Sequence, residues 1–150
     1  MKLKFEDVKH LYPNMGYVKT RPTEDVDWVK TPSLYQLSDM TEEQAQELFH
    51  IIWNLQWGES MWGTLTNIEK YYEYENSIGF KAIDGESKVG LTVELDRGVE
   101  LSFDGAKMKV NQFLATKYLL DNNFDLFNLI ENYQAVSASS FLNPYNQIQL

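Results

Sequence analysis

The chain has 150 residues, 43% hydrophobic and 23% charged, with a formal net charge of −9 and no cysteine. That length suits one ordinary core in a single domain over residues 1–150, the composition is that of a globular chain, and the missing thiols exclude disulfide staples, thiolate nucleophiles and cysteine zinc sites. Residues 1–30 carry six basic and five acidic side chains and the remaining 120 carry seven and seventeen, so the C-terminal four-fifths repels phosphate backbones and anionic membranes.

The N-terminal stretch MKLKFEDVKHLY places Glu6, Asp7, Lys9 and His10 where a signal peptide needs unbroken apolar sequence. No apolar run approaches a membrane span. The expectation is a protein that stays in the cytoplasm. Phe5, Val8, Leu11 and Tyr12 recur at helical spacing until Pro13-Asn14-Met15-Gly16 stops them, which predicts a short first helix. Residues 17–34 lack a sustained period and read as strand fragments and loop. Thr41-Glu42-Glu43-Gln44 is a capping box, and Ala45, Leu48, Phe49 and Ile52 follow at i, i+3, i+4 and i+7. A helix from about Thr41 to Asn54 follows from that pattern.

After Gly58, Ser60 and Gly63 the period changes to two. Ile78, Phe80 and Ala82 alternate with polar residues, as do Val89 to Leu95 and Val99 to Phe103. Asp84-Gly85 and Asp96-Arg97-Gly98 are hairpin-type connections, so the centre reads as an antiparallel meander, with Tyr71 to Tyr74 as a further strand. Its outward positions include Lys81, Thr92, Glu94, Glu100, Ser102 and Asp104. Val110, Phe113, Leu114, Lys117 and Tyr118 then form one helical face up to Asp121, and Phe124, Phe127 and Ile130 start a second helix. Residues 137–150 read as an extended tail. The predicted fold is α+β: an antiparallel three- to four-stranded meander, a capped middle helix and a C-terminal helical pair packed on one face.

Asp121, Asn123 and Asp125 match positions one, three and five of a calcium loop. Positions six and twelve, however, are Leu126 and Asn132 where that loop requires glycine and glutamate. A helical corner explains these residues better. The same region, Tyr118-Leu119, Phe124-Asp125-Leu126-Phe127 and Leu129-Ile130-Glu131 with Ala135-Val136, together with Leu37-Ser38-Asp39-Met40-Thr41-Glu42, resembles small uncharacterised proteins of Bacteroidetes phages and prophages. The resemblance covers about thirty residues. The chain departs from its pattern at Asn128 and Tyr133, where glycine is expected. It implies a mobile-element protein acting inside a bacterial cell and transfers no catalytic residue.

In FHIIWNLQWGESMWG, Trp53, Trp57 and Trp62, with Tyr71, Tyr72 and Tyr74 downstream, offer either an aromatic contact surface or the roof of a core. A nucleic-acid platform needs lysines and arginines, and between residues 50 and 80 only Lys70 occurs. Glu47 and His50 have the Glu-x-x-His spacing of di-metal bundles without a second copy, so a packed or solvated histidine is the simpler reading. No nucleophile elbow, phosphate-binding loop or metalloprotease motif occurs. The sequence therefore points to a non-catalytic protein-interaction protein of phage or mobile-element origin, with no cofactor and no direct nucleic-acid binding. Its expected contact residues are Trp57, Trp62, Glu94, Asp96, Glu100 and Asp104, facing a host or phage protein, of which a basic, nucleic-acid-binding protein is one candidate. The alternatives are an acidic inhibitor of a defence nuclease, a virion component and a small carboxylate hydrolase.

Overall fold

The computed structural model describes residues 4–21, 23–57, 66–74, 76–84, 87–139 and 147–149. The described elements are, in order, α1 (Phe5–Val8), β1 (Gly16–Thr20), β2 (Val29–Leu34), α2 (Glu42–Trp57), β3 (Thr66–Tyr74), β4 (Ser77–Asp84), β5 (Ser87–Glu94), β6 (Gly98–Phe103), β7 (Ala106–Met108), α3 (Gln112–Asp121), β8 (Val136–Ser137) and β9 (Gln147–Gln149). One-turn 3-10 helices lie at Lys9–Leu11 and Leu37–Asp39. The chain divides into two compact units, one of Met1–Gln36 with Leu119–Leu150, the other of Leu37–Tyr118.

The class is α+β, but the architecture differs from the expected one. There are two sheets, a four-stranded one in the order β8-β2-β1-β9 and a five-stranded one in the order β3-β4-β5-β6-β7, in place of a single meander of three or four strands. The C-terminal helical pair is also corrected. After α3, residues 122–135 form turns and one bridge, not a second helix.

The reason lies in Asp125. Its carboxylate accepts the N–H groups of Phe127 at 3.1 Å, Leu129 at 2.9 Å and Ile130 at 2.9 Å, donors that a helix would direct elsewhere. Asn123, Asn128 and Tyr133 adopt φ of 62°, 56° and 61°, left-handed backbone that a right-handed helix cannot contain. Phe124 instead bridges to Tyr35, with Tyr35 N–H donating to Asn123 O and Asp125 N–H to Tyr35 O, both at 2.8 Å. The apolar spacing that predicted a helix serves a core. Leu129 is buried with Phe5, Val8, Tyr12, Leu34 and Ala135, while Phe127 and Ile130 pack against that cluster. Tyr12 Oη donates to Phe124 O at 2.8 Å and accepts from Leu126 N at 3.3 Å, tying the N-terminal segment to these turns.

In the first unit, the strand fragments and loop read in residues 17–34 are the antiparallel pair β1–β2 and the segment that joins them, with Val18 opposite Thr31. β8 joins β2 in parallel and β9 joins β1 antiparallel. In the second unit the capping box is present: Gln44 N donates to Thr41 Oγ1, and Thr41 N to Gln44 Oε1, each at 3.1 Å. Such a cap stabilises a helix by about 1 kcal/mol. α2 runs on to Trp57 and buries Ala45, Leu48, Phe49, Ile52 and Trp53. The sheet β3–β7 buries Ile78, Phe80, Ala82, Val89, Leu91, Val93, Val99 and Leu101. Phe49 shares a small gap with Ile68, Phe80, Val89 and Leu91, so α2 covers this inner face. β7, absent from the sequence reading, adds a three-residue edge.

Candidate functional site

With the odd or even partners of β4, β5 and β6 buried on one side, the intervening residues define an outer face. The registers place Glu69, Lys81, Gly90, Ser102 and Lys107 in one row across all five strands. The next row holds Tyr72, Gly79, Thr92 and Glu100, and the one beyond it Tyr74, Ser77, Glu94 and Gly98.

β3 shifts register between Lys70, opposite Phe80, and Tyr72, opposite Gly79, which leaves Tyr71 as an extra residue. A bulge breaks alternation, and here it sends Tyr71 and Tyr72 to the same side. Both rings lie over Gly79: a Cβ there would collide with Tyr72 Cε1 and stand 2.8 Å from Tyr71 Cε1. Tyr71 and Tyr72 meet edge to face at 4.8 Å between centroids, Tyr72 and Tyr74 at 5.8 Å, and Ser77 Oγ donates to Tyr72 Oη at 3.3 Å. The ladder is thus fixed from below and from the side while Tyr71 is 51% and Tyr74 70% exposed. Partial burial, then Tyr72 and the charge of Glu94, push the Tyr71 phenol above its usual pKa.

The expected acidic residues divide. Glu94 and Glu100 share the outer face, and Asp96 lies in the turn that joins their strands. Asp104 lies in the turn at the opposite end of β6, about 20 Å away along a six-residue strand, with φ 49° and its Oδ1 accepting Lys88 N–H at 2.8 Å. Basic neighbours stand beside the other two, Arg97 Nε at 3.6 Å from Glu94 and Lys107 Nζ at 3.8 Å from Glu100. Trp57 closes α2, but its side chain, like the whole of Trp62, lies outside the described residues. The other end of the face is hollowed. A cleft of about 460 Å³ is lined by Glu69, Lys81, Ile83 and Lys88, and a shallower one of about 200 Å³ by Tyr71, Lys81, Lys88, Gly90 and Ser102.

The remaining sequence candidates have structural duties. Trp53 is buried and stacks on Phe49, with centroids 5.6 Å apart and planes 17° apart. Glu47 Oε2 accepts Tyr118 Oη at 2.7 Å, and His50 Nε2 lies 3.0 Å from Gln46 Nε2. Asn123 Nδ2 donates to Asn14 O at 2.9 Å, and Asp125 is bound to its own backbone as described. Among the described residues no group of three or more His, Asp or Glu is placed to hold a metal ion, and no helix is long and apolar enough to cross a membrane.

What sequence reasoning missed was the sorting of the aromatics. It grouped the tyrosines with the tryptophans upstream, whereas the bulge aligns Tyr71 and Tyr72 with Glu94 and Glu100. Gly79, inside an otherwise apolar strand, was the available signal, since an interior strand glycine marks a bulge or close approach. Compared with protein-family models, curated proteins and solved structures, the chain finds no match in any of the three.

Proposed function

We propose that the chain is a non-catalytic interaction protein that binds a protein partner through the outer face of its five-stranded sheet. The observation that supports this reading is the ladder of Tyr71, Tyr72 and Tyr74, in which the half-exposed Tyr71 lies with Tyr72 over Gly79 and the more exposed Tyr74 rests against Tyr72. Rings already fixed in one geometry lose little side-chain entropy when a partner covers them, and tyrosine is a favoured interface anchor for that reason. Phage or mobile-element origin, and action inside a bacterial host cell, rest on the resemblance noted in the sequence. In support of it, the two positions where that pattern carries glycine, Asn128 and Tyr133, are both left-handed.

An acidic mimic of nucleic acid has less support. It needs Glu94, Asp96, Glu100 and Asp104 as one field, and the length of β6 separates Asp104 from Glu94 and Asp96 while Arg97 and Lys107 stand beside Glu94 and Glu100.

The test is capture from a bacterial lysate with the tagged full chain and with a Tyr71→Ala/Tyr74→Ala variant, with and without nuclease treatment. A stoichiometric protein retained by the parent and lost by the variant, with circular dichroism unchanged, is the expected result. Equal capture by both, or none by either, would sink the reading.

A further inference from the structure

We infer that the tyrosine side of this face receives a cationic group, the guanidinium or ammonium of a basic segment on the partner; the inference rests on the outer face being the contact surface. Two rows of the sheet carry it. Tyr72 and Tyr74 stand on β3, Glu94 on β5 and Glu100 on β6, and between them lie only Ser77, Gly79 and Thr92. Two strand spacings, about 10 Å, separate β3 from β5. The rings of Tyr71 and Tyr72 cover Gly79 and the Tyr72 hydroxyl reaches Ser77, so the two rows present an aromatic surface bordered by the carboxylates of Glu94 and Glu100.

A cation at that border gains twice, from the ring quadrupole on one side and from charge-assisted hydrogen bonds on the other. An acidic or purely apolar group gains from only one side or neither. Two facts on the same chain bear on the choice. Arg97, its side chain 68% exposed, places its Nε 3.6 Å from Glu94, and Lys107 Nζ stands 3.8 Å from Glu100, so both carboxylates already face cationic groups, which a partner's cation would join or displace. Elsewhere Lys30 Nζ stands 4.2 Å from the centroid of Tyr17, and Arg21 lies 5.8 Å over Trp28. The partner would supply to Tyr71 and Tyr74 what Lys30 supplies to Tyr17. The net charge of −9 draws such a segment in from a distance.

The probe is a hexa-arginine peptide titrated into the full chain at low and at moderate salt, read by tyrosine-resolved NMR shifts. Hexa-arginine is expected to bind more tightly than hexalysine, because the planar guanidinium stacks as well as pairs. Tyr71→Ala/Tyr74→Ala, which leaves the net charge alone, should weaken binding about fivefold. Glu94→Gln/Glu100→Gln should do so at least as much, while Glu42→Gln/Glu43→Gln on α2, an equal loss of charge away from the face, should change it less than about twofold. Tyrosine variants that bind as the parent does, or a control as damaging as the Glu94/Glu100 pair, would reduce the effect to diffuse attraction by an acidic protein and overturn the inference. Capture of a partner that depends on Tyr71 and Tyr74 but is not competed by hexa-arginine would also overturn it while leaving the contact face standing. Specific hexa-arginine binding without any tyrosine-dependent partner would leave the cation site and remove the interaction reading.

Discussion

Gln112 holds Val99 with both ends of its side-chain amide: Val99 N–H donates to Gln112 Oε1 at 3.0 Å, and Gln112 Nε2 donates to Val99 O at 2.8 Å. β7 pairs with β6 only from Leu101 to Phe103, so the amide takes the place of the next strand residue at an otherwise open edge. Gly98 makes room for it, with φ 76° and a missing Cβ that would collide with Gln112 Oε1. Replacing Gln112 by alanine leaves two half-buried backbone groups without these partners and should lower the unfolding free energy by about 2 kcal/mol. Gly98→Ala should cost at least about 1 kcal/mol through backbone strain and displacement of the amide. Urea unfolding of the two variants and the double variant checks this. The double should cost less than the sum, since both changes break the same contact.

Asp125 is the second sensitive position. At 9% exposure its carboxylate serves three backbone donors. Asp125→Ala should destabilise the chain by about 3 kcal/mol, and Asp125→Asn by somewhat less, because the amide keeps one acceptor but turns an N–H₂ toward N–H groups. Native-state hydrogen exchange should show the amides of Leu129 and Ile130 losing protection first in both variants.

Tyr133 runs the other way. It is 93% exposed at φ 61°, so its ring contributes little packing while its backbone pays for a left-handed conformation. Tyr133→Gly should raise stability by about 0.5–1 kcal/mol, the relief of strain exceeding the entropy that glycine loses on folding. A thermal melt that falls instead would show that the exposed ring stabilises the turn.

Alkali should unfold the protein through Tyr12 and Tyr118. Burial is the chief cause that raises both phenols above their ordinary value, and at Tyr118 the hydrogen bond and charge of Glu47 add to it. The sign follows from linkage. Above about pH 10 the unfolded chain sheds these protons while the folded chain keeps them, so stability falls as pH rises from there toward the raised folded values. Tyr118→Phe should flatten that decline, at the expense of the Tyr118–Glu47 bond at neutral pH. Absorbance titration of tyrosinate alongside circular dichroism measures both.

The sequence made legible what depends on near neighbours. Thr41 and Gln44 announce their cap within four residues, and the strands from Ile78 to Phe103 carry their alternation in full view. The outward positions Lys81, Glu94, Glu100 and Ser102 followed from that alternation alone. What stayed hidden depends on backbone hydrogen bonds with no side-chain period. One inserted residue at Tyr71 realigns the aromatic face, and one carboxylate at Asp125 converts a helical spacing into turns. Phe113 shows the same limit: it falls in the apolar pattern of α3 yet is 75% exposed, while Ala115, Tyr118 and Leu119 make the buried side. Long-range pairing was equally invisible. The short runs at Val136–Ser137 and Gln147–Gln149 are strands only because β2 and β1 offer them ladders.

That pairing orders the chain's assembly during synthesis. Leu37–Tyr118 is contiguous and can close its sheet and helices as it leaves the ribosome, whereas the unit built from Met1–Gln36 needs Leu119–Leu150. Until residues 119–149 emerge, Phe5, Val8 and Leu34 have no Leu129 or Ala135 to cover them. A chain cut before residue 119 should therefore expose Phe5, Val8 and Leu34, and limited proteolysis of it should cleave the first 36 residues ahead of Leu37–Tyr118.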